Sequence, residues 1–520
     1  MASGCSTGWC ATTTRRDAPE DRTLLTSVDR VRPGLLEWRL KLSLVGIDDL
    51  GPSVPRVLPV KEAAVPAAFA AAARAAGFTG KPDQTLLLPA DPASGDPYRE
   101  LLLLGLGDRS AAEAAGARAA AALSACREIA IDGRGLPRSV AVALALGAAG
   151  RSWRFPEYRQ GPPETDASAM QIERLSLVVD DPGRTGARWR NAVGLVEAMG
   201  FARTLIAEPS NLLTPRAFIQ QLGLLEAAGV AVEVISAEAL STEGLHLLAA
   251  VGRGSVNPPA LAVLHWPGRL PLPPVVFVGK GMTFDTGGIS IKPADRMWEM
   301  RGDMTGAAVC AGAMLALARR NSPAPVAAVL PLAENMIGSD AYRPGDIVRS
   351  HHGLTVEIVD TDAEGRLILA DALSFAAARF HPRAMVDLAT LTDSVGVALG
   401  REMAGLYAND PVLAAHLAAA GVVAGEPVWR MPYTEGQREQ LVSEIADIKQ
   451  CLTGQLLPDA SLGAAFLSRF VGETPWAHID IGGTDLREEA DERHAAGPTG
   501  FGVRLLDRLI ALRYEDPDHP

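Results

Sequence analysis

Asp285, Asp303, Asp362 and Glu364 lie with Lys280, Lys292 and Arg366 in three short stretches of this chain. VGKGMTFDTGGISIKP runs from Val278 to Pro293, MRGDMTGAA from Met300 to Ala308, and VDTDAEGRLILADAL from Val359 to Leu373. The first and last each end an apolar run that reads as a strand, and α/β sheets place ligands beyond the C-terminal ends of their strands. Burying Asp285, Asp303, Asp362 and Glu364 beside core strands without partners would be prohibitive. Salt bridges to Lys280, Lys292 and Arg366 are one remedy. Two divalent cations are a fuller one, because they set four positive charges against four negative. Carboxylate oxygens suit hard divalent metals, and paired metals that share bridging carboxylates sit roughly 3.5–4 Å apart. Neither cluster contains Cys or His, which argues against a closed structural zinc site. Taken singly, each motif is ordinary: Gly-Lys-Gly reads as a turn and DAEGR as a charged helix start. The weight lies in their joint occurrence at strand ends.

The elements that must position these residues show in the apolar pattern. VAVEVIS, PALAVLHW, PPVVFVGK, PVAAVLPLAE, LTVEIVD, RAMVDLATL and WAHIDIGG alternate with helical stretches from about residue 207 onward. They are apolar on both faces, as central strands of a covered, mostly parallel sheet are. An earlier strand–helix rhythm includes LKLSLVGI, QTLLLPA, ELLLLGLG, VAVALALG and RLSLVVDD. The expected architecture is α/β with two domains: a smaller N-terminal α/β domain over 34–187 and a C-terminal α/β/α metallopeptidase domain over 207–520. One helix over 188–206 links them, and residues 1–33 form a polar, disordered tail.

The paired stretches resemble those of the leucyl aminopeptidase family, the M17 metallopeptidases. That family reads close to GKGxTFDSGGxSxKP, then DM-x-GAA, then NTDAEGRL. Further matches are ENM-x-x-x-x-AYRPGDI at Glu334–Ile347, DLATLT at Asp387–Thr392, PWAHIDI at Pro475–Ile481 and GPTGFGVRLL at Gly497–Leu506. The resemblance runs in order from about Ala207 to Leu506.

It implies a two-metal aminopeptidase that removes the N-terminal residue of short peptides. The tighter metal is held by the Lys280 amine, Asp285, Asp303 and Glu364. The other is held by Asp285, Asp362 (side chain and backbone carbonyl) and Glu364. The cations are Mn or Zn, with Mg or Co as alternatives. A lysine ligand must be neutral, so its ammonium has to lose a proton on binding. Lys292 resembles the lysine that stays charged and stabilises the oxyanion of the tetrahedral intermediate. Arg366 resembles the arginine that holds a bicarbonate ion, the general base towards the attacking water. Met300 falls at an apolar wall of the pocket for the substrate side chain, and Thr390 and Leu391 on the loop whose backbone meets the substrate. The resemblance also implies a homohexamer.

Three positions depart from the pattern. Asp360 replaces the usual Asn and Asp393 a Gly on the substrate-facing loop, and Thr305–Gly306 stands for Gly-Gly. An Asp393 carboxylate turned into the pocket would favour Lys or Arg substrates. One turned to solvent, the expected outcome because unpaired buried carboxylates are costly, leaves an apolar pocket for Leu or Met.

Of the 520 residues, 48% are hydrophobic and 21% charged, an ordinary globular composition. A net charge of −12 argues against general affinity for nucleic acid or anionic membrane, so a secondary DNA-binding role is the alternative rather than the main reading. Gly279–Gly281 lacks the spacing of a phosphate loop, which sets nucleotide binding aside. Five scattered cysteines fit a reducing compartment. With no apolar leader or run of 18 apolar residues, they point to the cytoplasm and away from a membrane.

Overall fold

The computed structural model describes residues 40–51, 54–89, 100–106, 112–155, 158, 172–454, 457–491 and 494–516. The expected tail over 1–33 lies outside the described residues. Two sheets organise the rest. The first takes β1 (Lys41–Val45), β2 (Arg56–Lys61), β3 (Thr85–Pro89), β4 (Glu100–Leu106), β5 (Glu128–Asp132) and β6 (Arg174–Val178) in the order β1-β6-β5-β2-β4-β3. Every pairing in it is parallel except β3 with β4.

The run VAVALALG, expected among the strands here, lies inside the helix Arg138–Ser152. The helix is buried over most of its length, so it shows no polar stripe to mark a period of 3.6. An alternation of Ala with Val and Leu then looks strand-like, although Ala and Leu are strong helix formers.

The second sheet comprises β7 (Ala231–Ile235), β8 (Ala260–Trp266), β9 (Val275–Gly279), β10 (Gly281–Asp285), β11 (Val326–Asn335), β14 (Ala384–Ala389), β15 (Ala404–Ala408), β16 (Val428–Arg430) and β18 (Trp476–Asp480). Its order is β16-β15-β18-β14-β9-β11-β8-β7, with β10 alongside β11. The centre β18-β14-β9-β11 is parallel, and β15, β8 and β7 enter antiparallel towards the edges. LTVEIVD forms a strand outside this sheet. It is β13 (Thr355–Glu357), which pairs with β12 (Ile347–Arg349) and β17 (Ile448–Lys449) in a small separate sheet.

All residues of β9, β11, β14 and β18 are buried. Alternate residues of β9 feed two cores. Val275 and Phe277 join the apolar cluster under the helices Pro182–Ala207, Thr305–Arg319 and Val503–Arg513, whereas Val276 and Val278 join that under Glu364–Phe380 and Asp459–Leu467. The result is an α/β/α layer, the arrangement expected of the larger domain.

The long helix starts at Pro182, earlier than the 188 expected from its apolar pattern. Asp181 accepts from Arg184 N at 2.9 Å and Pro182 occupies the first turn, so a Pro-Gly pair that reads as a turn is a capped helix start. Its Arg203 is buried. Nε donates to Thr499 O at 2.7 Å and Nη1 to Gly150 O at 2.6 Å. One guanidinium thereby ties this helix to the N-terminal helix Arg138–Ser152 and to the loop before Val503–Arg513. Burial pushes its pKa down to about 10, still far above neutrality.

Arg203→Ala strands the two carbonyls it serves, at a cost of about 1–3 kcal/mol for each buried acceptor left unpaired. The thermal midpoint is expected to fall, and Arg203→Lys to recover only part, because an ammonium lacks the planar fork. Equal midpoints for wild type and Arg203→Ala would contradict this role.

Candidate metal centre

Lys280 sits at the break between β9 and β10. β9 ends beside β14, and β10 then runs on alongside the end of β11, with its register shifting between Met282 and Phe284. Asp285 closes β10 opposite Asn335, the last residue of β11. Asp303 follows the 3-10 helix Met297–Gly302, two residues before the helix Thr305–Arg319, and Glu364 opens the helix Glu364–Phe380. Helix N-termini favour negative charge, which offsets part of the cost of holding these carboxylates.

The expected residues come together. One carboxylate oxygen from each of Asp285, Asp303 and Glu364 lies within 4.8 Å of the others, and all three residues are buried. Lys280 Nζ stands 2.7 Å from Asp303 Oδ1 and 3.0 Å from Glu364 Oε1. Lys292 Nζ bridges Asp285 Oδ2 at 2.8 Å and Asp362 Oδ1 at 2.5 Å. Thr390 serves the centre twice: its carbonyl accepts from Lys280 Nζ at 2.9 Å and its hydroxyl donates to Asp303 Oδ1 at 2.7 Å.

Backbone geometry makes this approach feasible. Gly287, at φ 84°, turns the chain so that its own N donates to Asp285 Oδ1 at 2.9 Å. A Cβ on Gly365 would lie 2.5 Å from Lys280 Cε, so any side chain there would displace the lysine.

The electrostatics fit a cation site. Asp303 Oδ2 and Glu364 Oε2 are buried and have no hydrogen-bond partner among the described residues. Burial, with repulsion from Asp285, pushes the Glu364 carboxyl up to about 7. Burial also takes Asp303 up to about 6, against the pull of Lys280, and Asp362 up to about 7, against that of Lys292. Burial works against the charge of both ammoniums, yet attraction to the carboxylates outweighs it and both lysine pKa values are raised. Hard acidic oxygens with lone pairs to spare are what a divalent cation requires.

Sequence reasoning assigned no role to several supporting residues. Asn335 Nδ2 donates to Asp285 Oδ1 at 2.8 Å and to Thr361 O at 2.9 Å, and Tyr342 OH donates to Thr361 O at 2.7 Å. Thr361 Oγ1 donates to Gly287 O at 2.6 Å and accepts from Ser290 N at 2.8 Å, clasping the two motifs together. The stretch Glu334–Ile347 held Asn335 and Tyr342 in view as a signal. Arg366 is buried and donates to Gln450 O and Asp459 Oδ1.

Met300 is half-buried on the 3-10 helix, Leu391 is half-buried beside Thr390, and Asp393 is exposed in the first turn of the helix Asp393–Leu399. Leu391 N donates to the buried Asp480 at 3.1 Å. Asp360 accepts from Asp362 N at 2.9 Å, a contact that needs only a side-chain carbonyl oxygen. His478 pairs with Asp387 at 2.6 Å inside the sheet, and no histidine belongs to the carboxylate group among the described residues.

A carboxylate-and-lysine centre at the C-terminal edge of a mostly parallel sheet defines a metal-dependent hydrolase of the α/β/α type. Residues 200–507 match the family model "Cytosol aminopeptidase family, catalytic domain", and residues 48–162 match "Cytosol aminopeptidase family, N-terminal domain". The chain belongs to the cytosol aminopeptidase family, M17, and is a metallo-aminopeptidase.

It is similar to a probable cytosol aminopeptidase of Chelativorans sp. (strain BNC1), 42% identical over 451 residues that span 85% of this chain and 90% of the relative. It is also similar to that of Gluconobacter oxydans (strain 621H), 42% identical over 442 residues, 84% and 88% of the two chains. Among solved structures, the bottromycin maturation enzyme BotP in complex with Mn superposes with a TM-score of 0.78 at 34% identity, covering 88% of this chain and 99% of that one. The cytosol aminopeptidase of Coxiella burnetii gives 0.76 at 27% identity, covering 92% and 99%. No described helix is long and apolar enough to cross a membrane.

The raised carboxyl pKa values set a pH dependence. Between about 4, where unfolded carboxyls ionise, and about 7, the metal-free folded protein holds protons that the unfolded chain has released. Its stability therefore falls as pH rises through that window. Cation binding needs those protons gone, so affinity rises over the same window. Calorimetric titration with Mn is expected to give tighter binding at neutral than at mildly acidic pH, while the melting point of chelated protein moves the other way. Equal affinity at both pH values would contradict it.

Proposed function

We propose that the centre holds two divalent cations and cleaves the first peptide bond of short peptides. The observation that carries this reading is the convergence of Asp285, Asp303 and Glu364 on the buried Lys280, with two carboxylate oxygens left unpartnered. Lys280, Asp285, Asp303 and Glu364 would hold one cation, and Asp285, Asp362 and Glu364 the other. Manganese is the first choice, given the Mn complex of BotP, with Zn, Mg or Co as alternatives. Such cations polarise a carbonyl and lower the pKa of water.

The residues divide the remaining work. Lys292 is the more accessible lysine, 22% exposed against 4% for Lys280, so it faces the scissile carbonyl and stabilises its oxyanion. The acidic centre receives the free amino terminus, which accounts for exopeptidase action. Met300 would line the pocket for the first side chain, with Thr390 and Leu391 alongside. Exposed Asp393 stands beside that loop at the helix start, which favours the apolar pocket. Arg366 holds the oxyanion that serves as base, for which the family resemblance supplies bicarbonate.

In this reading 34–187 is the N-terminal domain, 188–206 the link and 207–520 the catalytic domain, and the chain works in the cytoplasm as a homohexamer. Sedimentation velocity checks the hexamer, and a fully active monomer would refute it.

Purified protein is expected to release N-terminal residues from unblocked peptides and aminoacyl anilides. A chelator should abolish this, and Mn should restore it. Comparable cleavage of N-acetylated peptides would rule the mechanism out.

Lys292→Ala is expected to keep both metal ions and lose about 10²–10³ in kcat, the scale for removing one oxyanion donor. Metal analysis accompanies the kinetics, and a variant that no longer binds metal would refute the assigned role.

A further inference from the structure

Arg366 lies two residues beyond Glu364, and its side chain is 3% exposed. Both terminal nitrogens are engaged: Nη1 donates to Gln450 O at 3.1 Å, and Nη2 donates to Asp459 Oδ1 at 2.8 Å. Asp459 is the first residue of the helix Asp459–Leu467, and its carboxylate is 41% exposed. That carboxylate is far more exposed than the guanidinium it pairs with and occupies Nη2, whereas the buried Nε has no hydrogen-bond partner among the described residues.

The helix is fastened to the substrate loop. Ala460 N donates to Ser394 Oγ at 2.9 Å, and Ser394 Oγ donates to Thr392 Oγ1 at 3.2 Å. A Cβ on Gly463 would meet Leu391 Cδ2 at 3.0 Å and Arg366 Cζ at 3.8 Å, so the helix lies directly over the arginine and the loop. Burial works against the charge on Arg366, and Asp459 is the strongest charge opposing that effect, ahead of Glu364.

We propose that Asp459 is the built-in oxyanion of Arg366, so that this chain needs no bicarbonate for peptide hydrolysis. The inference rests on the reading of Arg366 as the anion-holding residue of the centre. At Nη2 an anion from solution would have to displace a tethered carboxylate, whose effective concentration is on the order of millimolar even on a flexible linker. Held at the start of a packed helix, the Asp459 carboxylate loses less freedom on pairing than a free ion does. Asp459 thereby takes the place of that oxyanion as the base, and its carboxylate accepts the proton of the attacking water.

The test uses the Mn-loaded full chain and a leucyl anilide in carbonate-free buffer, with bicarbonate titrated back. Wild type is expected to be active without bicarbonate and insensitive to its addition. Asp459→Ala is expected to lose roughly a hundredfold in kcat/KM, the lower end for a positioned acid–base group. Added bicarbonate should restore that rate saturably, a readout that a purely structural residue would not give. Full activity of Asp459→Ala without bicarbonate would overturn the proposal. So would a loss that bicarbonate cannot rescue in a variant with wild-type melting and metal content. If the variant does not fold, the wild-type titration still decides, because a rate that climbs with bicarbonate overturns the proposal by itself. A wild type that hydrolyses no unblocked substrate under any condition sinks the peptidase reading and this inference together, whereas bicarbonate-dependent hydrolysis sinks only the role of Asp459.

Discussion

Three buried carboxylates within 4.8 Å of one another repel strongly wherever water is excluded, and the larger domain is built around holding that charge. Lys280 and Lys292 are interleaved with the acids, so no carboxylate of the group faces another without a cation nearby. Two helices begin at the same place and turn their positive ends towards it. Asn335 adds a neutral donor to Asp285, the most enclosed member. What remains uncompensated, on Asp303 Oδ2 and Glu364 Oε2, is the part a metal can use.

The centre has a closed side and an open side. Lys280, Asp303 and Thr390 form the closed one, in which Lys280 and Asp303 are buried and only Asp303 Oδ2 lacks a partner among the described residues. Lys292 and Asp362 form the open one, with side chains 22% and 33% exposed. Rigid enclosure would suit residues that define a binding geometry, and partial access residues that meet a substrate. Arg366 and Asp459 repeat the division on a smaller scale, with a buried guanidinium and a half-open carboxylate.

The site is braced from the N-terminal half of the chain. The helix Pro182–Ala207 packs on Thr305–Arg319, which starts two residues after Asp303. Through Arg203 the same long helix reaches the N-terminal helix Arg138–Ser152 and the loop at Thr499. One apolar cluster is continuous from Leu144 and Leu177 through Trp189 and Phe201 to Met314 and Leu509. The N-terminal sheet thus supports the helix behind the metal centre while contributing none of the residues assigned to it.

Much of the site could be read directly, because its residues sit in long motifs at the ends of apolar runs. Asp285, Asp303, Glu364 and Lys280 were legible for that reason, and so were the central strands β9, β11, β14 and β18, whose burial on both faces leaves mostly apolar runs, broken by Asp387 in β14 and His478 in β18. Elements without such a mark were not. VAVALALG hides a helix, because burial over most of its length erases the polar stripe that reports helical period, and β10 is short and interrupted by the motif it carries. Residue type and spacing thus marked which groups have the capacity for the chemistry, since a carboxylate or an ammonium has it wherever it lies. Only the tertiary structure decided which partner each one meets. Asn335 on Asp285, Gly365 beneath Lys280 and Asp459 on Arg366 join residues 50, 85 and 93 positions apart, a proximity set by strand order and helix packing that no local pattern encodes.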